Sequence, residues 1–472
     1  MKILLLNPPD SGNENFIREG RCTQPEGMWA TLWPPVSLVY IGTVLKANCY
    51  EVRVHDCPPE DVDLEALKEI IRSFNPDIVI WSTGTPSIES DLALASEIKR
   101  IRPAAFTAVF GTHASALDAD CMKQSPDLDV IIRNEPEMTA LELVWAISSG
   151  STFADVEGLT FRASNSEIVH NPSRPFVRDP DTLPFPDWGL INTDNYRLPL
   201  KGDSFLIVVP FRGCPFPCSF CTAGLYYGKG LRERDTRLIL NEIRDGMERF
   251  GVQDFFFWAE TFTVDRAFVM DLCRAIRESG LRFRWVCNSR VDTVDEEMLL
   301  AMAGAGCWMI SFGIESSNQE ILKTVDKNTT PEQTRIAVGL SKQYGMLVSG
   351  HVIFGLPGET VDTAKETLRF VKGLDLDFAQ FYCAVPFPGT PLYNKALQSG
   401  WITSGSFACF RQERAAMSLP SISPQEVERI RRQAVREFYG RPAVILKILR
   451  LMNMRTLGIS LQGALKFVRR LF

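Results

Sequence analysis

The stretch from Arg212 to Cys221, RGCPFPCSFC, places three cysteines at positions 214, 218 and 221. Thiolates on a short loop at Cys-x-x-x-Cys-x-x-Cys spacing are ligands for iron–sulfur clusters or zinc. Four ligands close a metal cage; three leave one position open. A zinc site would be completed by a fourth Cys or His nearby. The only histidines stand at 55, 113, 170 and 351, none of them within a hundred residues downstream. A zinc ribbon would need a second cysteine pair, which is missing. Three cysteines buried together by chance fit poorly with a loop shaped by Gly213, Pro215 and Pro217. The spacing favours a cluster held by Cys214, Cys218 and Cys221, with one iron open to another ligand. The cysteines at 22, 49, 57, 121, 273, 287, 307, 383 and 409 have no metal spacing and read as small buried hydrophobes, with Cys287 and Cys383 near strand ends.

Such a loop needs a rigid carrier. SFLIVVPFRG reads as a buried strand leading into it, and QDFFFWAE, FRWVCN, CWMISFGIE, GMLVSGHVIFG and FAQFYCAV follow as further strands. Helical periodicity lies between them near 236–250, 265–279, 295–304, 331–344 and 361–372. Six β/α units over 204–400 make a partial (β/α)6 barrel of the TIM type, whose chemistry belongs at the carboxyl ends of its strands. The polar residues fall there: Glu260; Asn288, Ser289 and Arg290; Glu315 and Ser316; Gly355 to Gly358; Pro388, Gly389 and Thr390.

Residues 1–150 alternate strands (KILLLN, EVRVHD, DIVIWS, FTAVFG, DVIIR) with helical segments near 36–47, 62–74, 88–101 and 137–149. The pattern is that of a doubly wound, Rossmann-like parallel sheet, which binds ligands at its strand ends. Those ends read NPP, HDCPP, STGTPS, GTHAS and RNEPE. Residues 151–203, rich in Pro, Asp and Asn, read as an ordered linker. Residues 401–472 form a helical C-terminal region. From Gly440 to the end there are seven Lys or Arg and no acid, so a net charge of −6 leaves about −13 for the rest. Leu461, Leu465, Val468 and Phe472 share one face of a last amphipathic helix, and Lys466, Arg469 and Arg470 another. Such a helix either docks on the barrel or lies on an anionic membrane surface. The composition, 45% hydrophobic and 23% charged, is that of a soluble globular protein, with no run of about 20 apolar residues to span a bilayer. Met1 leads straight into KILLLNPP, too short for a signal-peptide core. Scattered cysteines place the chain in a reducing cytoplasm, with a possible station on the inner face of the membrane. Neither charge balance nor motif points to nucleic acid.

With Phe220 before its last cysteine, the loop resembles the signature of the radical S-adenosylmethionine (SAM) superfamily, and the two domains in this order resemble its cobalamin-dependent members. The resemblance implies a 4Fe–4S cluster whose open iron is chelated by SAM. It implies Glu260 for the SAM ammonium, in WAET where the family has its GGE motif without the two glycines here. It implies Arg290 for the carboxylate, Ser289 or Glu315 for other polar groups, and Gly355 and Pro357 of VIFGLPGET against adenine. Ser82, Thr83, Gly84 and Thr85, with Gly111, Thr112 and His113, match the family's cobalamin loops, and LWPPVSLVYIGTVLKA its first loop and helix. The Asp-x-His-x-x-Gly motif that supplies an axial histidine is missing, which implies cobalamin without a protein histidine on cobalt, or a vestigial shell. The implied activity is reductive cleavage of SAM, removal of a substrate hydrogen by the 5′-deoxyadenosyl radical, and methyl transfer from cobalamin to an unactivated carbon or phosphorus of a small or lipophilic substrate. The electron donor would be external and flavodoxin- or ferredoxin-like. A ring-forming or rearranging enzyme without methyl transfer, and a non-catalytic cobalamin carrier or sensor, stay open beside it. The resemblance leaves the residues that act on the substrate unnamed.

Overall fold

Apolar runs flanked by amphipathic helices bury themselves in the first half of the chain as a parallel sheet. The computed structural model describes residues 1–9, 16–19, 24–25, 32–198 and 201–451. Strands β1 (Lys2–Asn7), β2 (Glu51–Asp56), β3 (Ile78–Ser82), β4 (Phe106–Phe110) and β5 (Val130–Ile132) pair in parallel in the order 2-1-3-4-5. Helices Val36–Ala47 and Pro136–Ser149 bury Leu38, Ile41, Leu143 and Val144 on one face, against Ile3, Leu5 and Ile80. Helices Leu64–Phe74 and Ile88–Ile101 cover the other face, with Leu67, Ile71 and Leu92 against Leu4, Leu6 and Trp81. The expected double winding is present.

The sheet does not stop where the sequence suggested. β6 (Leu159–Arg162) and β7 (Ile168–His170) add antiparallel to β5, so this sheet takes in part of the segment read as linker. Strands of four and three residues carry too few alternations to show a period of two. The remaining connector is ordered by single turns whose first N–H groups are taken by the side chains of Asp179, Asp187 and Asn192.

The second sheet holds six parallel strands in chain order: β8 (Phe205–Val208), β9 (Asp254–Phe257), β10 (Arg284–Arg290), β11 (Cys307–Glu315), β12 (Leu347–Phe354) and β13 (Phe378–Cys383). Helices Thr236–Phe250, Arg266–Ser279, Glu296–Gly304, Pro331–Gln343 and Val361–Gly373 return between them, started by the N-caps Asp235, Asp265, Asp295, Thr330 and Thr360. Residues that face the helices, such as Ile310, Phe312, Val348 and Val352, are fully buried. Their alternates Asn288, Met309, His351 and Gln380 keep partial exposure, so the lumen is open space.

A partial barrel leaves its last strand with an unpaired edge. Here the C-terminal region satisfies it. The Tyr439 hydroxyl accepts the Ala379 N–H (3.1 Å) and donates to the Ala379 carbonyl (2.7 Å). Arg431 Nε donates to the Phe381 carbonyl (2.9 Å), and the Cys383 N–H donates to the Gln412 carbonyl (2.7 Å). Helix Pro424–Tyr439, opened by a Ser423/Glu426 capping box, buries Val427, Ile430, Ala434 and Phe438 beneath these contacts. Helix Pro442–Leu451 follows, with Val444 buried and Ile445, Leu446 and Leu449 exposed. Cys22 and the proposed tail face of Leu461, Leu465, Lys466, Val468, Arg469, Arg470 and Phe472 lie outside the described residues.

Candidate functional site

The cysteine loop leaves β8 through Phe211–Arg212, which forms a two-residue antiparallel ladder with Arg232–Glu233 on the loop's return. Gly213 turns it with φ +97°, and a Cβ there would collide with the Gly230 carbonyl, so glycine is required. The Cys214 N–H donates to the Gly228 carbonyl (3.1 Å), the Cys221 N–H to the Cys218 carbonyl (3.1 Å), and the Ser219 N–H to the Val325 carbonyl (3.0 Å). The backbone of the loop is thus fixed by bonds that do not use the sulfurs; the Ala223 N–H donates to Cys221 Sγ (3.5 Å), and Cys214 Sγ lies 3.9 Å from the Thr261 hydroxyl.

Two cations act on Cys218 and a carboxylate on Cys214. Arg290 Nη1 donates to Cys218 Sγ (3.4 Å), and the same guanidinium lies 3.8 Å from the centre of the Phe216 ring. Burial pushes the Cys214 and Cys218 thiols up; Lys327 and Arg290 work against that at Cys218, while Cys221 and the Glu260 carboxylate add to it at Cys214. Among the described residues no three or more His, Cys, Asp or Glu side chains are gathered as a single metal ion would need. Three cysteines on one short loop are the ligand type of an iron–sulfur cluster.

The other expected residues fall into two groups. Glu260 is buried near Cys214, and Phe220 packs on the barrel core. Gly355 and Pro357 are buried at the end of β12, where Gly355 lies against Val427. Glu260, Phe220, Gly355 and Pro357 therefore border the cysteine loop or the strand ends. Arg290, Ser289 and Glu315 carry prior commitments. Arg290 is bound bidentately by Asp292 (2.9 and 2.7 Å) and donates to the Lys327 carbonyl (2.7 Å); burial lowers its pKa, but the Asp292 carboxylate outweighs that and holds it above the usual arginine value. The Ser289 hydroxyl is bonded to Thr263, and Thr263 to Thr293 (2.6 Å). Glu315 has φ +60°, a left-handed backbone at a strand end, and its carboxylate pairs with Lys327 at 3.0 Å, both side chains buried.

At the N-terminal sheet the expected loops come together but turn inward. Thr83 donates to the Phe110 carbonyl (2.9 Å) from its hydroxyl and its N–H. Gly111, φ +138°, lies so close to the Thr83 carbonyl that no Cβ fits. Ser82 reaches Asn7 (3.4 Å), and the Gly84 N–H donates to Asp91 (3.2 Å). Thr85 and His113 face each other at 3.3 Å, and the Phe407 ring caps His113 edge-on with centroids 4.5 Å apart. Burial drives the His113 pKa down to about 3, so the ring is neutral. Gly111 and Thr112 keep partial exposure. Residues Gly111–Thr112 therefore offer backbone, not a ligating side chain.

Three sets of residues here escaped the sequence reading. Lys327 lies in a loop remote from any strand end, and only its three-dimensional pairing with Glu315 marks it. Glu359 stands in the glycine motif itself; it is buried, accepts the Gly355 N–H, and burial pushes it up to about 8. Arg212, inside the cysteine motif, bonds Glu135 (3.3 Å) and Glu137 (2.7 Å) of the N-terminal sheet. Its signal was an arginine at the end of an apolar strand, a position that demands a buried acid.

Two family models match this chain: the radical SAM superfamily over residues 208–371 and the B12 binding domain over residues 29–144. An uncharacterized methyltransferase of Pyrococcus horikoshii is 31% identical over 447 residues, covering 95% of this chain and 94% of its own. An anaerobic magnesium-protoporphyrin IX monomethyl ester cyclase of Rubrivivax gelatinosus is 30% identical over 369 residues, 77% of this chain and 66% of that one. The solved structure of the radical SAM methyltransferase TsrM of Kitasatospora setae, with cobalamin and a 4Fe–4S cluster bound, superposes with a TM-score of 0.70 at 19% identity, covering 97% of this chain and 90% of that one. That last likeness is one of fold.

Proposed function

We propose that this chain, which belongs to the radical SAM enzymes carrying a B12-binding domain, is a methyltransferase acting on an unactivated carbon or phosphorus centre. The observation that carries the reading is the three-thiol loop at the carboxyl face of the barrel, set directly against the strand ends of the N-terminal sheet. When bound, the cluster and cobalamin supply the electron that cleaves SAM and the methyl group that is transferred.

The chain's own residues bind, orient and exclude. Cys214, Cys218 and Cys221 hold three irons. Arg290 and Lys327 offset the negative charge of that assembly, a different task from the SAM-carboxylate contact the sequence suggested for Arg290. Glu260, buried beside Cys214, is the acid placed to receive the SAM ammonium. Gly355 and Pro357 give an apolar, close-approach surface for adenine. Ser289 and Glu315 act through Thr263 and Lys327 rather than on the ligand. Ser82 to Thr85 and Gly111 to His113 would form the surface that holds cobalamin, with His113 buried beneath Phe407.

The substrate is a small or lipophilic molecule, and the electron donor a flavodoxin- or ferredoxin-like protein. Among the described residues no helix is long and apolar enough to cross a membrane. Peripheral contact through the basic tail is the finer reading. Lys447 is tied to Asp375 (2.7 Å) and Asp377 (3.1 Å) and Arg441 to the Lys372 carbonyl (2.7 Å), so those two cations serve docking. Ile445, Leu446 and Leu449 face outward and suit an interface.

The cyclase relative keeps ring formation without methyl transfer as the second reading. Anaerobic incubation of the reconstituted enzyme with methyl-deuterated SAM and host extract separates them. Mass spectrometry should find a product three deuterons heavier, formed together with 5′-deoxyadenosine. Product without label, alongside 5′-deoxyadenosine, overturns methyl transfer.

A further inference from the structure

The cysteine loop is anchored at both ends in the other domain. At its base, the ladder sets Arg212 opposite Arg232. Glu135, from the loop after β5, bridges the two: Arg232 Nη1 donates to both its oxygens (2.9 and 3.0 Å) and Arg212 Nη1 to one (3.3 Å). Arg212 Nη2 donates to Glu137 (2.7 Å), with both side chains at most 2% exposed. Arg212 is also flanked by the rings of Tyr40 and Tyr227, at 5.2 and 4.7 Å. Past the last cysteine, the Tyr226 hydroxyl bonds Ser37 (2.6 Å) at the start of helix Val36–Ala47, and Glu19, which in turn accepts from the Ser37 hydroxyl (2.8 Å) and N–H (3.0 Å).

The anchoring carboxylates sit at a ligand-side helix start. The Asn134 N–H donates to Ser115 Oγ (2.9 Å), which ties the start of helix Pro136–Ser149, with Glu135 at its N-cap and Glu137 in its first turn, to the short helix Thr112–Ala116 that follows Gly111. Asn134 holds φ +62°, so this turn has little room to relax. An unbroken path therefore runs from Ser115 through Asn134, the two glutamates and Arg212 to Gly213 and Cys214. Buried charges stay paired, because a lone one in the interior is strongly unfavourable. A displacement of residues 111–115 that keeps the Ser115–Asn134 bond reaches Arg212 through the paired glutamates, next to the first cluster cysteine.

We infer that the Arg212–Glu135–Glu137 clamp couples the two cofactor sites, so that loading cobalamin on the N-terminal sheet tightens SAM binding at the cluster. The inference rests on the function proposed above. Two ligands that order the same network bind with positive cooperativity, and the coupling is reciprocal. Arg212, Glu135 and Glu137 are thus positioning residues that act through the cysteine loop.

The test uses the full chain with its cluster reconstituted. SAM affinity and the electron paramagnetic resonance (EPR) spectrum of the reduced cluster are measured with and without hydroxocobalamin. In the wild type, cobalamin should tighten SAM binding by about fivefold or more and change the cluster spectrum. Glu137→Gln, which keeps size and a hydrogen bond but removes the charge, should retain both cofactors while the factor falls below about twofold. Ser115→Ala cuts the path at a milder point and should give an intermediate factor, which serves if Glu137→Gln folds poorly. Cobalamin retained with no effect on SAM binding or on the spectrum overturns the coupling alone. A full factor persisting in both variants moves the path elsewhere and also overturns it. A wild-type protein that retains no cobalamin overturns the functional reading itself, and this inference with it.

Discussion

The carboxyl ends of the two sheets meet where Arg212 bonds Glu135 and Glu137, but the residues expected at the two cofactor sites are prepared in opposite ways. At the barrel the strand ends carry fixed charges: Arg290 on Cys218, Glu315 paired with Lys327 on a left-handed backbone, and Glu260 buried near Cys214. At the N-terminal sheet the hydroxyls of Thr83 and Thr85 and the ring of His113 are satisfied within the fold. A cofactor held by bonds needs side chains of set type at set places. A cofactor held by shape needs backbone and room. The barrel face is a set of ligands and counter-charges, and in the proposed function the sheet face is a surface.

The sharpest way to break that contrast is at the thiols. Changing Cys214, Cys218 or Cys221 to Ala should remove most of the iron and all reductive cleavage of SAM, while cobalamin retention changes little. Iron analysis and 5′-deoxyadenosine formation check this. A triple variant that stays brown and active would end the ligand reading.

Next in size is the buried pair. Lys327→Met strands the Glu315 carboxylate in the interior and should destabilise the protein by about 3–5 kcal/mol, as breaking a buried ion pair does. Lys327→Met with Glu315→Gln should recover most of it. Denaturant titration reads both. If the single variant is as stable as the wild type, the pair is wet, and the barrel face resembles the sheet face more than the contrast allows.

A smaller effect appears only as pH changes. Burial raises Glu359 to about 8 from an unfolded value near 4.5, so the native state keeps a proton that the unfolded chain releases. Its contribution is complete below the unfolded value and is lost as pH rises through about 8. Glu359→Gln should therefore gain on the wild type between pH 5 and 9, by on the order of a few kcal/mol, with little difference at the acid end. Parallel stability curves would mean that the carboxyl is ionised and paired.

The difference between the faces also explains what the sequence disclosed. Strands and helices of both sheets were legible from continuous apolar runs, as in DVII or SFLIVV, and from helical periodicity, as in VDTAKETLRFVKG. The cysteine loop was legible because its chemistry is local, three ligands within eight residues. The hairpin Leu159–His170 was not, since its short strands LTFR and IVH mix polar with apolar residues and adjoin a segment rich in Pro, Asp and Asn. Arg290, Ser289 and Glu315 were found at their strand ends, but their partners were not. Asp292 is local; Lys327 and Thr263 reach them only through the fold. The inward turn of Thr83 and His113 was likewise hidden, because Phe407 arrives from nearly three hundred residues away.

His113 gives the finest test, since a histidine at a strand-end loop is the one side chain that would turn a surface into a ligand set. Its ring is buried under Phe407 with Thr85 as hydrogen-bond partner, and burial lowers its pKa to about 3. The unfolded chain takes up a proton below about 6.5 and the native ring does not, so stability is full above that value and falls as pH drops toward 3. At pH 5 the loss is on the order of 2 kcal/mol. His113→Gln keeps a hydrogen-bonding group beside Thr85 and cannot take up the proton. It should be slightly less stable than the wild type at pH 8, by about 1 kcal/mol for the lost ring contact, and should close or reverse that gap at pH 5. EPR spectroscopy of bound cob(II)alamin should show no nitrogen superhyperfine splitting from His113 in either protein, because the ring is buried against Thr85 and Phe407 rather than presented at the surface. A triplet in the wild type that disappears in His113→Gln would make His113 an axial ligand, and the two faces would then hold their cofactors in the same way.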